Sequence, residues 1–369
     1  MSLFLVGLQW FFLLYFVLIN LGYIGLNLLA IPGLLRKMAL RPLENLPAVY
    51  SGFEPAVSLL VPAYNEEATI ASSLRSLLQL DYAEFEIVVV NDGSKDGTLA
   101  ALQDAFSLER FPEALWQRLP TKPVRAVYRS RLIPNLRVID KENGGKADAL
   151  NVGINAARFS LFCAMDADSI LQRDSLRRVV EPFLDDPTTI ATGGTVRIAN
   201  GCTVSGGHLE RVGLPRNLLA LLQIVEYLRA FLFGRLGWAA MDAVLIISGA
   251  FGVFRKDAIV EAGGFRADTI GEDMELIVRL HRVMLERGRP YAIHFVPDPI
   301  CWTEAPESLA VLKGQRIRWQ RGLAESLHKN MGLMHAGGGS AAGLVAFPFF
   351  MVFECYGPLI EVSGYLFMA

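Results

Sequence analysis

Residues 3–31 are almost wholly apolar, interrupted by Gln9, Asn20 and Asn27, and the first charged residue is Arg36. About 20 apolar residues suffice to cross the ~30 Å hydrocarbon core as a helix, so residues 1–35 are expected to form an N-terminal transmembrane helix. The other structure open to such a run is a buried core helix. A secretory signal would carry charge ahead of a shorter apolar core, which this segment does not. Arg36, Lys37 and Arg41 follow at once, and the positive-inside rule places the next domain in the cytoplasm. The far end is apolar again: residues 336–369 carry only Glu354 and Glu361 as charges. Pro348, Gly357, Pro358 and Gly364 break that run, which reads as a second span or as a re-entrant or interfacial pair. The sequence stops while still apolar, so further membrane segments are expected beyond it or on a partner.

Between the apolar ends, residues 50–330 alternate between short buried runs and helical patterns. Strands are expected at 57–63, 86–90, 124–128, 136–139 and 160–165, and helices at 66–79, from 96 onward, at 147–157 and at 174–184. Continuous apolar strands separated by helices predict an α/β fold with a mostly parallel, Rossmann-like sheet covered on both faces. Residues 217–233 place apolar side chains at 218, 221, 222, 225, 228 and 232, a helical stripe. We expect an amphipathic interfacial helix within about 209–240, with Arg229 and Arg235 touching lipid phosphates, or else a helix packed on the sheet.

Composition agrees with membrane attachment, since 52% of residues are hydrophobic. A net charge of −2 gives no support for nucleic acid as a partner. Cys163, Cys202, Cys301 and Cys355 have neither zinc-ligand spacing nor the density of a disulfide framework.

Polar motifs follow the expected strands directly. Tyr64-Asn65-Glu66-Glu67, Asn91-Asp92-Gly93-Ser94 and Asp166-Ala167-Asp168 each sit where ligands bind in open α/β sheets. Each alone is also ordinary turn chemistry. Asn143-Gly144-Gly145-Lys146 is not a P-loop, because Asp140 and Ala147 occupy the places of its first Gly and its Ser or Thr. The chain has no dinucleotide fingerprint after a strand, and Ile170 breaks any EF-hand reading of 166–170.

Asp166 and Asp168 lie two apart and can share one Mg²⁺ or Mn²⁺ with substrate phosphates, or form a solvated turn. Asp273 opens a helix expected over 272–285, where an acid complements the dipole or serves as a general base. In a helix starting near 306, Gln315-Arg316-Ile317-Arg318-Trp319 offers Arg318 to phosphate oxygens and Trp319 to a sugar ring. Arg316, Arg318 and Arg321 together suggest a cationic patch beside the acids.

The ordered set VPAYNEE (61–67), VVVNDGS (88–94), ENGGKADALN (142–151), DAD (166–168), GED (271–273) and QRIRW (315–319) resembles the family-2 glycosyltransferases of GT-A fold. The similarity is greatest to the membrane-integrated synthases of cellulose, chitin, hyaluronan and poly-N-acetylglucosamine, and in motif style to the bacterial poly-β-1,6-N-acetylglucosamine synthases. It implies a nucleoside pocket from Ala63, Tyr64, Glu66 and Asp92, with Asp92 near the uracil. It further implies that Lys146 and Asp148 hold the diphosphate and donor sugar, with Gln315 and Arg318 also on the diphosphate. Asp166 and Asp168 would hold the metal, Asp273 would be the catalytic base, and Trp319 would meet the acceptor. Many relatives have Thr-Glu-Asp where this chain has Gly271-Glu272-Asp273.

The function so implied is inverting transfer from a UDP-sugar, UDP-GlcNAc or UDP-Glc, to a growing polysaccharide at the inner membrane. Transfer of one sugar to a membrane lipid is the alternative, so the acceptor is a glycan or a lipid. Two apolar segments cannot enclose an export path, which calls for a homo-oligomer, a partner subunit or more helices. A glycosidase would also need paired acids but no diphosphate pocket. A non-catalytic nucleotide-sugar sensor would tolerate loss of Asp273.

Overall fold

The structure is a computed structural model, and it describes residues 3–44, 54–205 and 208–368. Helix α1 (Leu3–Glu44) precedes β1 (Val57–Ala63), α2 (Ile70–Leu77), β2 (Phe85–Asn91) and α3 (Thr98–Phe106). Next come β3 (Leu108–Arg110), β4 (Val124–Ser130), β5 (Leu136–Lys141), α4 (Lys146–Ala156), β6 (Leu161–Met165), β7 (Ile170–Leu171) and α5 (Ser175–Asp185). Strand β8 (Thr189–Ile198) leads through the hairpin β9 (Thr203–Ser205) and β10 (His208–Arg211) to α6 (Leu218–Tyr227). A π-helical turn, Leu228–Gly234, joins α6 to α7 (Arg235–Ala239). Strand β11 (Phe251–Arg255), α8 (Lys256–Glu261), α9 (Glu272–Glu286), β12 (Ala292–Thr303) and α10 (Leu309–Lys329) complete the central domain. The helical run from Ala342 to Cys355 contains the single turn α11 (Phe347–Phe349) and is followed by α12 (Gly357–Met368).

Ten strands form one sheet in the order β3-β4-β5-β2-β1-β6-β11-β8-β12-β7. The four strands β5, β2, β1 and β6 are parallel, as the buried runs predict. Alternate residues enter two cores. Leu59, Val61, Ile87 and Val89 meet Ile70, Leu74 and Leu102 on one face. Leu60, Val88 and Val90 meet Leu150, Ile154 and Leu276 on the other. Each such burial stabilises by about 1.5–3 kcal/mol. The chain steps outward from β1 to β2 and β5, then returns through α4 to β6 on the other side of β1. That reversal opens a crevice beyond the carboxyl ends of β1 and β6.

Antiparallel strands extend both flanks: β4 pairs with β5, and β11 runs between β6 and β8. Strands β8, β11 and β12 were not expected from the hydrophobic pattern. Gly193 and Gly194 interrupt β8, and the register of β12 shifts around Pro299.

The segment Phe4–Arg36 is long and apolar enough to cross a membrane, and Ala342–Cys355 with Gly357–Phe367 is so only as a pair bent by 44°, the form of a broken span or a re-entrant loop. The two regions pack through Phe12–Phe367, Tyr15–Phe353 and Tyr23–Phe349, with ring centroids 5.9, 5.4 and 5.6 Å apart. Helix α7 crosses α1 closely at Gly237, where a Cβ would lie 2.8 Å from Leu26 Cα.

The helix expected over 217–233 is α6 plus the π-helical turn. Asn217 caps it, accepting from Leu219 N and Ala220 N at 2.9 and 3.2 Å. Leu218, Leu222 and Val225 form an exposed apolar face, while Ala220, Gln223 and Tyr227 are buried. Arg235 is only 4% exposed, which corrects the expectation that it touches lipid phosphates. The turn carries it inward, between aromatic rings.

Candidate active site

A cavity of 270 Å³ fills the crevice and is lined by Ala63, Tyr64, Glu66, Asp92, Lys146, Asp166 and Asp168 among others. Seven of the residues singled out from the sequence therefore share one wall. The loops after β1 and β2 are clipped together: Asn65 Oδ1 accepts from Lys95 N at 2.9 Å, and Glu66 N donates to Thr98 Oγ1 at 2.8 Å. Gly93 has φ +65°, and a Cβ there would lie 2.8 Å from Asn143 N, so the turn requires glycine.

Asp92 is buried and fully engaged. It accepts from Lys141 Nζ at 2.6 Å, Gly144 N at 2.9 Å and Gly145 N at 2.8 Å. Lys141 also lies 2.7 Å from Asp148 Oδ1, and Asp148 accepts from Lys122 N at 3.0 Å. Asp92 thus fixes the glycine-rich loop that launches α4. Asp148 stands behind this wall and lines neither this cavity nor the larger one described below. Lys141, which sequence reasoning missed, ties the two acids together.

Lys146 opens α4 and points across the crevice. Its Nζ lies 2.5 Å from Asp166 Oδ1 and 3.4 Å from Glu272 Oε1, and donates to Gly249 O at 3.2 Å. Burial alone would lower its pKa, but the carboxylates of Asp166, Glu272 and Asp273 outweigh it and raise the pKa. Burial raises Glu272, with Asp273 adding to the effect. Asp168 is raised by desolvation at the mouth of the crevice and by the like charges of Asp166 and Glu66.

Among the described residues, no group of three or more His, Cys, Asp or Glu side chains converges on a metal position. Asp166 and Asp168 do fit as a two-carboxylate set. Hard oxygens in that number suit Mg²⁺ or Mn²⁺ completed by phosphate and water, and a cation would relieve the repulsion felt by Asp168.

Asp273 stands in the first turn of α9. Its Oδ2 accepts from Gly249 N at 2.9 Å and its Oδ1 from Met274 N at 2.8 Å. The same Gly249 accepts from Lys146 through its carbonyl. Lys146 and Asp273 are therefore anchored on one residue.

A second cavity of 700 Å³ lies beyond and is lined by Lys146, Asp166, Asp273, Gln315, Arg318 and Trp319, together with Tyr23 and Leu26 of α1. Ser308 caps α10, accepting from Val311 N at 3.4 Å, and so sets the start of the helix that carries QRIRW. Trp319 packs near Phe231 and Tyr227, with centroids 6.0 and 6.5 Å away, and the Arg316 guanidinium lies 4.5 Å from its ring centre. Gln315 Oε1 is buried without a hydrogen-bond partner.

The expected cationic patch is mostly neutralised. Arg316 forms a two-pronged pair with Glu226 at 2.7 and 2.5 Å, and Arg321 pairs with Glu325 at 2.7 Å. Arg318 is the member left exposed and without an ion pair among the described residues. Glu272, Gly249 and Arg235 belong to the same site and were missed. Glu272 was legible as the acid beside Asp273, whereas Gly249 and Arg235 carry no motif of their own.

This fold and crevice define a GT-A glycosyltransferase domain. The model of "glycosyltransferase like family 2" matches residues 55–322, and the chain belongs to that family. It is 31% identical over 274 residues to the poly-β-1,6-N-acetyl-D-glucosamine synthase of Staphylococcus aureus strain COL, covering 73% of this chain and 55% of that protein. The Staphylococcus epidermidis protein of the same name is 29% identical over 272 residues, again covering 73% and 55%. The chain thus spans about half the length of these curated relatives. Among solved structures, a mannosyltransferase from Pyrobaculum calidifontis in complex with GDP-Man and Mn²⁺ is similar, with a TM-score of 0.58 and 20% identity. That match covers 92% of this chain and 79% of the other, and shows the shared fold.

Proposed function

We propose that the chain is an inverting β-glycosyltransferase that moves a sugar from UDP-GlcNAc or UDP-Glc to a growing polysaccharide. The observation that supports this reading is the Lys146–Gly249–Asp273 linkage, which joins the lysine of the smaller crevice to an acid in the larger cavity. Asp273 takes the proton of an acceptor hydroxyl, whose oxygen attacks the anomeric carbon as the bond to the diphosphate breaks. The attack comes from the face opposite the leaving group, so an α-linked donor yields a β-linkage. Lys146, Gln315 and Arg318 hold the departing diphosphate. Ala63, Tyr64, Glu66 and Asp92 form the nucleoside wall, Asp148 acts through Lys141, and Trp319 supplies a stacking face for the acceptor. Mg²⁺ or Mn²⁺, held by Asp166 and Asp168, would neutralise diphosphate charge.

Helix α1 anchors the domain in the inner (plasma) membrane, and the basic residues after it favour a cytoplasmic catalytic face. Because Tyr23 and Leu26 line the acceptor cavity, a second reading is supported: transfer of one sugar to a membrane lipid. The test is to incubate the detergent-solubilised chain with each donor, with and without lipid, and to size the product. A long β-linked glycan supports the polymer reading. A single sugar on lipid supports the second, and an α-linked product contradicts both.

A further inference from the structure

We propose that Arg235 reads an amide carbonyl on the acceptor sugar, making it a specificity-determining residue for acetamido sugars. The inference rests on the glycosyltransferase reading above.

Arg235 lines the 700 Å³ cavity together with Asp273 and Trp319. It is 4% exposed, and its Nη1 has no hydrogen-bond partner. Its guanidinium lies 4.4 Å from the ring centre of Phe231 and 5.8 Å from that of Phe295. No carboxylate among the described residues pairs with it. Burial lowers its pKa to about 10, against the pull of Asp273 and Tyr227. A buried guanidinium without hydrogen-bond acceptors is costly. The Phe231 ring and the Asp273 charge offset part of that cost, and a ligand that supplies hydrogen-bond acceptors would offset the rest.

The missing group follows from the chemistry. Guanidinium has N–H donors and no acceptor, so its ligand must present oxygen lone pairs. The nearby Asp273 charge already compensates the cation at a distance, which leaves hydrogen-bond acceptance as the unmet need. The neighbouring carboxylates Asp166 and Glu226 are taken by Lys146 and Arg316. A neutral carbonyl suits this position better than another anion. The Phe231 ring beside it suits a methyl group, and Trp319 and Leu245 add apolar surface to the same cavity. An acetamido group supplies both carbonyl and methyl on one sugar substituent.

A purely structural arginine and a ligand-reading one make opposite predictions. Replacing an unpaired buried charge by an apolar side chain of similar size leaves the empty protein as stable or more stable. The experiment uses the purified full chain and its Arg235→Met variant, with β-linked N-acetylglucosamine and glucose oligosaccharides as acceptors. Wild type is expected to favour the acetamido acceptor. In R235M the ratio of kcat/KM for the acetamido acceptor to that for the glucose acceptor falls by about tenfold or more, whatever the change common to both, while UDP affinity holds and Tm does not fall. Equal effects on both acceptors, no effect on either, or a large fall in Tm with loss of all activity would overturn the assignment. A second measurement needs no variant: the acetamido oligosaccharide should raise the Tm of wild type more than the glucose one. Equal shifts would also overturn it. Failure of the underlying glycosyltransferase reading looks different, since wild type would then show no transfer to either acceptor.

Discussion

Gly271 and Gly322 meet backbone to backbone: a Cβ built on Gly271 would lie 2.9 Å from Gly322 Cα, and the converse distance is also 2.9 Å. This contact presses the residues before α9 against the middle of α10. It fixes the Asp273 motif relative to QRIRW. It also explains why glycine stands where the resemblance led us to expect threonine, since a threonine would strike Gly322. Gly322→Ala should therefore push the two motifs apart. We expect a loss of about 1–3 kcal/mol in stability and a fall in kcat larger than any change in UDP affinity. Denaturant titration and steady-state kinetics check both.

Asp168 feels like charges from Asp166 and Glu66, and its raised pKa means that ionisation opposes folding. A raised acid contributes stability below its unfolded pKa, and that contribution is lost as pH rises through the folded pKa. Asp168→Asn should raise the Tm measured in EDTA at neutral pH. The same change should abolish the stimulation of UDP binding by Mg²⁺ or Mn²⁺. Thermal scans and calorimetry on one preparation would show the two effects in opposite directions.

Lys141 is wholly buried and lies 2.6 Å from Asp92 and 2.7 Å from Asp148. Lys141→Met leaves two carboxylates without their shared cation. Breaking a buried pair in this way costs about 3–5 kcal/mol. UDP binding should weaken as well, because Asp92 holds Gly144 and Gly145 in place. Chemical unfolding followed by UDP titration tests both parts.

His281 is buried as a neutral ring between Tyr291 OH at 2.7 Å and Val244 O at 2.8 Å. Burial lowers its pKa from 6.5 to about 4. Its stabilising effect is complete above the unfolded pKa and is lost as pH falls toward about 4. At about 1.4 kcal/mol per pH unit, the loss approaches about 3 kcal/mol. His281→Gln should flatten the acid side of the stability profile relative to wild type, measured by denaturant titration across that range.

The sequence made the central strands legible because runs such as 57–63 and 86–90 are buried on both faces. The motifs at their carboxyl ends were legible for the same reason: an acid directly after a buried strand can only reach the rim. Strands β8 and β12 were hidden by internal glycine and proline, which the closing of the sheet tolerates. Arg235 was misplaced because a helical stripe does not reveal a π-helical turn, and that turn rotates the residue from lipid toward the cavity. The pairing of Arg316 with Glu226 was equally unreadable, since the partners are 90 residues apart.

The role of Asp273 as the base of the transfer is tested most directly by the rate of UDP release by Asp273→Asn. Oxygen is replaced by an isosteric amide, so the hydrogen bond from Gly249 N can persist while proton acceptance is lost. Turnover should fall by about 10²-fold or more with UDP affinity near that of wild type. Turnover equal to wild type would remove Asp273 from the chemistry.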